Sequence, residues 1–219
     1  MTALNECLAA IHLCRIRVTR LNPDGTAASG PNNVYVTDKP IQMGVTPVYA
    51  AGKDVDLTGG CDCLVATYRG KDKMKRLDFE LDHAAMEWGL FEMLTGSPAI
   101  LSAGDIIGNW FNDNSFDCSA QAQPNVCVEG WQTGWSDDHQ DATWPFLHWI
   151  WPSTSWSFGA QTLQNDFNQP KFTGYSRGNP SWGLGIFGDL PEACQPLGGV
   201  FLCTEMPAAV CGYQTVNVT

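Results

Sequence analysis

The chain has 219 residues with 12 Lys+Arg against 23 Asp+Glu, a formal charge of −11, and is 44% apolar, 11% aromatic and only 16% charged. Its 9 Trp, 10 Phe and 5 Tyr supply enough apolar surface for a sizeable core, which excludes disorder. No apolar run approaches the roughly 18 residues of a membrane-spanning helix, and the acid excess opposes tight duplex binding, because Lys and Arg contacts to phosphate supply most of that affinity.

The first residues, Leu4 to Ile16, are moderately apolar but carry Glu6 and His12 and lack an early basic cluster, so they are expected to be mature structure rather than a secretory signal. Arg15 to Leu21 alternates, with Ile16 and Val18 on one side of a strand and Arg15, Arg17 and Thr19 on the other. Asn22-Pro23-Asp24-Gly25 supplies the turn. Residues 33 to 51 are rich in Val, Ile, Thr and Tyr but interrupted by Pro40, Gly44 and Pro47, which predicts two short strands. Lys53 to Thr58 alternates again, and Leu64 to Tyr68 follows as a further strand.

The clearest alternation is Arg76 to His83: Leu77, Phe79 and Leu81 are expected to face a core, and Arg76, Asp78, Glu80 and Asp82 solvent. The period then changes, and Ala84 to Thr95 predicts one helix of about three turns, closed by Gly96 as its C-terminal cap and by Pro98. Short strands are predicted at residues 99–101, 105–111, 126–132, 146–151, 155–163, 171–176 and 199–204, with an exposed loop over 112–124. Within 146–151 the Trp-rich alternation suits a strand buried on both faces. The whole is expected to be one mainly β domain over residues 1–219, with two packed antiparallel sheets (sandwich or barrel-like), one flanking helix, and a long loop or insertion around 112–141.

Charge is divided unevenly: residues 1–104 hold 10 basic and 12 acidic side chains, net −2, and residues 105–219 hold 2 and 11, net −9. Asp137, Asp138, His139 and Asp141 between Trp135 and Trp144 suggest a sugar cleft, yet adjacent loop carboxylates lack the separation and raised pKa that glycoside hydrolysis needs. Cys61-Asp62-Cys63 with Cys7 and Cys14 does not have the spacing of a structural zinc site. The nine cysteines are an odd number without an export signal, so a reducing compartment is expected during folding, with oxidation open to them later. No metal, cofactor or catalytic residue is expected, and an enzyme is not.

The segment Lys75 to Gly96, KRLDFELDHAAMEWGLFEMLTG, resembles the strand, acidic helix and Leu-Thr-Gly end of tail tube (major tail) proteins of long-tailed phages of actinobacterial hosts. The resemblance continues through Trp144-Pro145-Phe146 to Trp151-Pro152, Phe158 to Thr162, Gly178 to Gly183 and Phe187-Gly188-Asp189. It implies a tail tube fold whose six copies close into a ring, with rings stacked into a tube. Expected partners are other copies of the chain, a tape measure protein, tail terminator and distal tail proteins, and genomic DNA in transit without tight binding. The expected location is the virion tail, assembled in the host cytoplasm and without a membrane.

Such a tube should offer passing DNA a wall without phosphate contacts, and six copies of −11 give −66 per ring. Asp78, Glu80 and Asp82 are the expected lumen-facing acids, with Asp54 and Asp56 a second set for which an ordinary soluble outer surface is equally open. Arg15 and Arg17 are expected to pair with acids of an adjacent subunit. Residues 37–58 and the Cys-containing termini are candidates for contacts between rings. The alternative is a tail-tip or receptor-recognition protein that binds host-surface glycans through its Trp-rich half.

Overall fold

The computed structural model describes residues 8–109, 123–136, 139–162, 165–166, 168–179, 181, 197–208 and 211–214. The expected loop at 112–124 lies almost wholly outside the described residues, as do Cys7, Asp137, Asp138, Trp182 and the Phe187-Gly188-Asp189 segment.

The elements in chain order are β1 (Ala9–Arg20), β2 (Val34–Thr37), β3 (Pro40–Ala50), β4 (Asp54–Thr58), β5 (Leu64–Arg69), β6 (Lys73–His83), α1 (Trp88–Thr95), β7 (Ala99–Ser102), β8 (Asp105–Asn109), β9 (Val126–Ser136), β10 (His139–Gln140), β11 (Phe146–Phe158), β12 (Lys171–Ser176), β13 (Gly199–Cys203) and β14 (Gly212–Gln214). The protein is thus mainly β with one α-helix, and every pairing between strands is antiparallel.

The expectation of two packed sheets needs correction. Ten strands form one continuous sheet in the order β14-β2-β1-β9-β11-β12-β6-β3, with β10 added on β9 and β13 on β11; β4–β5 and β7–β8 are separate hairpins. The sheet curls, because β1 touches β3 although four strands separate them in the pairing order. β11 explains how one sheet does the work of two layers. Its first half pairs with β13 and its second half with β12 on the same side, while a register shift against β9 between Trp151 and Thr154 bends the strand at Pro152-Ser153. A bulge is where a strand tolerates proline and gains twist.

β3 also runs longer than predicted, straight through Gly44 and Pro47. It forms the last strand of the sheet, and an edge is where a strand can hold a residue without an N–H. The residues of β11 from His148 to Trp156 are almost all buried, in keeping with a strand covered on both faces. Phe79 stacks on Trp156 with ring centroids 5.5 Å apart and meets Trp151 edge-on at 5.4 Å. Phe91 of α1 meets Phe158 at 4.8 Å and Phe172 at 5.9 Å. Burial of each such ring contributes about 1.5–3 kcal/mol, so this aromatic cluster ties β6, β11, β12 and α1 into one core.

The helix is four residues shorter than expected. Residues 84–87 are held in other bonds: Ala84 donates its N–H to the Lys39 carbonyl, His83 Nδ1 lies 2.7 Å from the Ala85 carbonyl, and the Glu87 carboxylate accepts from Tyr35 and Thr37. Helix starts only at Trp88, which is exposed rather than buried, and Leu90, Phe91, Met93 and Leu94 face the core. Gly96 closes it as predicted, at φ 72° with its N–H on the Glu92 carbonyl, a conformation that glycine adopts without steric cost.

Candidate functional site

The register places the outward residues of β3, β6, β12 and β11 in rows across one open sheet face. Thr46, Asp78 and Tyr175 form one row with Ser155, and Gly44, Glu80 and Thr173 form the next with Ser157. Together they line a shallow groove of about 480 Å³. Gln42, Asp82 and Lys171 make the row beyond it.

This face unites the three acids predicted from the alternation, but two of them are not as expected. Asp82 does not face solvent: it is 5% exposed, accepts a 2.7 Å hydrogen bond from Gln42 Nε2 and lies 3.3 Å from Lys171 Nζ. Neighbours in its own row on both adjacent strands cover it, which alternation within a single strand does not reveal. Asp78 is half-buried and ion-paired at 2.7 Å with Arg76. Glu80 alone is exposed, with no cation at ion-pair distance among the described residues.

Cations balance the face. Arg76 and Arg177 both lie over the Tyr175 ring, with guanidinium carbons 5.6 and 5.0 Å from its centre. Counting Lys171, three cations therefore stand among three carboxylates, and the expectation of a strongly acidic face is corrected to one near neutrality. Asp54 and Asp56 are exposed on β4, off the main sheet, so they do not join this face; Asp54 lies 3.8 Å from Arg69.

Arg17 is likewise not left for a neighbour. Arg17 grips Glu129 with both oxygens, Nε to Oε2 at 2.5 Å and Nη2 to Oε1 at 2.6 Å, and Arg15 donates to the Pro207 carbonyl. The in-chain carboxylate corrects the expectation for Arg17, whereas Arg15 meets a backbone carbonyl and no carboxylate among the described residues. The signal for this was present only in three dimensions: β1 and β9 set Arg17 directly opposite Glu129.

Glu129 is the centre of a buried polar cluster. His148 Nε2 lies 3.1 Å from Glu129 Oε1, and the His148 ring stacks on Trp131 at 4.2 Å, with Arg17 5.2 Å from the Trp131 ring centre. Burial pushes the Glu129 carboxyl up, but the hydrogen bonds from His148 and Arg17 and the Arg17 charge outweigh it and hold the group below the ordinary carboxylate range. Burial likewise opposes the Arg17 charge, and Glu129 more than compensates, raising the guanidinium further. Beside the cluster is a cavity of about 460 Å³ lined by Trp131, Trp144, His148, Cys203, Glu205 and Met206 among others. Trp131 offers no open ring for a sugar, since His148 and Arg17 lie against it.

No group of three or more His, Cys, Asp or Glu suited to a metal ion occurs among the described residues. Among them, too, no helix is long and apolar enough to cross a membrane. Of the cysteines, Cys61, Cys63 and Cys211 are exposed with free thiols and Cys127 is buried. Comparison with known protein families matched none, and comparison with curated proteins found no significant match.

Proposed function

We propose that the protein is a structural, non-enzymatic subunit of the tail tube of a long-tailed phage, closing into hexameric rings that stack around a tape measure protein and later conduct DNA. Tail terminator and distal tail proteins would meet the ends of the tube, and the whole would belong to the virion tail after assembly in the host cytoplasm. The observation that carries this reading is the edge of the ten-stranded sheet that β3 leaves unpaired among the described residues. β3 ends the sheet with 11 residues, and Ile41, Val45 and Tyr49 on it are exposed apolar side chains. A long apolar edge is a template for another strand, and an isolated subunit that keeps one is exposed to aggregation unless a neighbour covers it. Extending the sheet across subunits would cover it and carry the groove face around a common bore.

The composition of that face supports passage rather than binding. Hydroxyls of Thr46, Thr173 and Ser157 lie among balanced charges, so a polyanion would find neither a cationic track to hold it nor a strong barrier. Here the wall is passive because its charges cancel, a different physical basis from the acidic wall expected at first.

Electron microscopy of concentrated purified protein tests the reading. Six-fold rings or long tubes are the expected result. Discrete particles that bind host-surface glycans would replace it with the tail-tip alternative.

A further inference from the structure

We infer that His83 is a proton-operated switch for the turn over residues 84–87 that leads into α1, worked by Ala85, which offers both its N–H and its carbonyl to one nitrogen of the ring. His83 ends β6 and is fully buried, as is Thr37 of β2 against it. The Ala85 nitrogen lies 3.4 Å from His83 Nδ1, and the Ala85 carbonyl oxygen lies 2.7 Å from the same atom. A bare ring nitrogen accepts from an N–H, and a protonated one donates to a carbonyl. It cannot do both, so the Ala85 group it holds records whether Nδ1 carries a proton.

The other ring nitrogen is fixed by its neighbours. Thr37 Oγ1 accepts the Lys39 N–H at 3.1 Å and lies 3.1 Å from Glu87 Oε1 and 3.0 Å from His83 Nε2. A hydroxyl has one hydrogen and two lone pairs, and a carboxylate only accepts. The hydrogen goes to Glu87 and Lys39 takes one lone pair, so the remaining lone pair requires Nε2 to carry a hydrogen. The neutral ring is therefore the Nε2–H tautomer, with Nδ1 bare and accepting from the Ala85 N–H. A bare nitrogen and a carbonyl oxygen repel at 2.7 Å, so the neutral ring holds the Ala85 carbonyl off. Acid adds the second proton at Nδ1, and the ring then draws that carbonyl in.

The charges around the ring set the direction. Burial opposes the imidazolium most and the Lys39 charge opposes it too, whereas the Ala85 carbonyl, Glu87 at the entry of α1 and Asp38 after β2 favour it; the ring is neutral in the fold near neutrality and charges on acidification. Cys211, ahead of β14, donates its thiol to Asp38 at 3.0 Å and is pushed up to about 11, chiefly by burial, so it adds no charge. Tyr35 of β2 donates to Glu87 Oε2 at 3.1 Å, and Asp82, next to His83 on β6, is occupied by Gln42 and Lys171. The turn is anchored at both ends: Ala84 donates its N–H to the Lys39 carbonyl, and the Glu87 carbonyl accepts from Phe91 in the first turn of α1. Rotation of the Ala85 peptide between these anchors re-aims that first turn, and the switch works within a single chain.

Heteronuclear NMR of the isotope-labelled full chain from about pH 7.5 to about pH 4.5, a range that brackets an ordinary histidine from above and reaches well below it, tests this. The neutral ring is expected to carry its hydrogen on Nε2, and Nδ1 to titrate while the chain stays folded. Backbone amides of residues 84–88 should shift with the midpoint of the ring, and those of β12 should not. E87Q keeps an oxygen for the Thr37 hydroxyl but removes the charge, so the tautomer should stay and the proton should bind about tenfold or more weakly. T37V takes away the acceptor of Nε2–H, so its neutral ring should move the hydrogen to Nδ1 and hold the Ala85 carbonyl at every pH. A neutral wild-type ring with its hydrogen on Nδ1, a ring that takes up no second proton before the chain unfolds, or amides of 84–88 that ignore the ring overturns the inference. So does an E87Q midpoint equal to that of the wild type, or a folded T37V that keeps the wild-type tautomer. The wild type alone supplies the first three outcomes, so a variant that fails to fold does not spare the inference.

Discussion

Replacing Glu129 by Gln isolates the buried cluster at the centre of the sheet. Glu129 is 3% exposed and holds Arg17 through two bonds of 2.5 and 2.6 Å and His148 at 3.1 Å. The amide keeps the shape but removes the charge, so the Arg17 guanidinium, whose side chain is only 25% exposed, loses its counter-ion. Breaking one side of a buried pair costs about 3–5 kcal/mol, and the partial exposure of Arg17 places the expected loss near the lower end, about 3 kcal/mol. With a urea slope of about 2 kcal/mol/M, the midpoint should fall by about 1.5 M, and the melting temperature by about 6–12 °C. Equilibrium urea unfolding of E129Q, of R17M and of the double variant is the assay. The double variant should lose less than the sum of the singles, because each single leaves a partner unpaired and the double does not. The pH response follows from the depressed carboxyl: its stabilisation is complete above the unfolded value of about 4.3 and lost as pH falls through the lower folded value. E129Q should lack that acid limb. A loss below about 1 kcal/mol, or strict additivity of the two singles, would refute the view that this pair acts as one buried unit.

Lysine substitution should separate the three acids of β6. Glu80→Lys is expected to leave the unfolding midpoint within about 0.5 kcal/mol of wild type, as for exposed sites generally, whereas Asp82→Lys should cost about 3–5 kcal/mol by setting two cations together in a buried row; urea titration of the two proteins reads the contrast. His83 gives a second pH window. Burial lowers its pKa, and its ring faces Thr37, the Ala85 carbonyl, Glu87, Asp38 and Lys39. A depressed base is neutral in the fold while the unfolded chain still takes a proton, so stability is full above about 6.5 and declines below it, by at most about 1.4 kcal/mol per pH unit. Melting temperatures of wild type and H83Q between pH 7.5 and 5.5 check this, and the decline should be weaker in H83Q.

The sequence by itself determined the local elements wherever a periodic pattern met clear punctuation. Leu77, Phe79 and Leu81 alternate against charged neighbours and form β6, and the helix stops at Gly96 because the chain there must turn left-handed before Pro98. The Trp-rich segment around residue 149 likewise declared a strand without a wet face. Tertiary structure alone decided what those elements do to one another. Alternation says which side of a strand Asp82 takes, but not that Gln42 and Lys171 from two other strands will close over it. Nor does it say that Glu129, more than a hundred residues away, will face Arg17 across a ladder. The helix began late for the same reason: Tyr35 and Thr37, on a strand some fifty residues earlier, bind Glu87 and hold the preceding turn out of helical shape. Period is a property of one strand or helix, whereas burial and charge balance are set by which strands become neighbours, and that is fixed only when the sheet closes on its core.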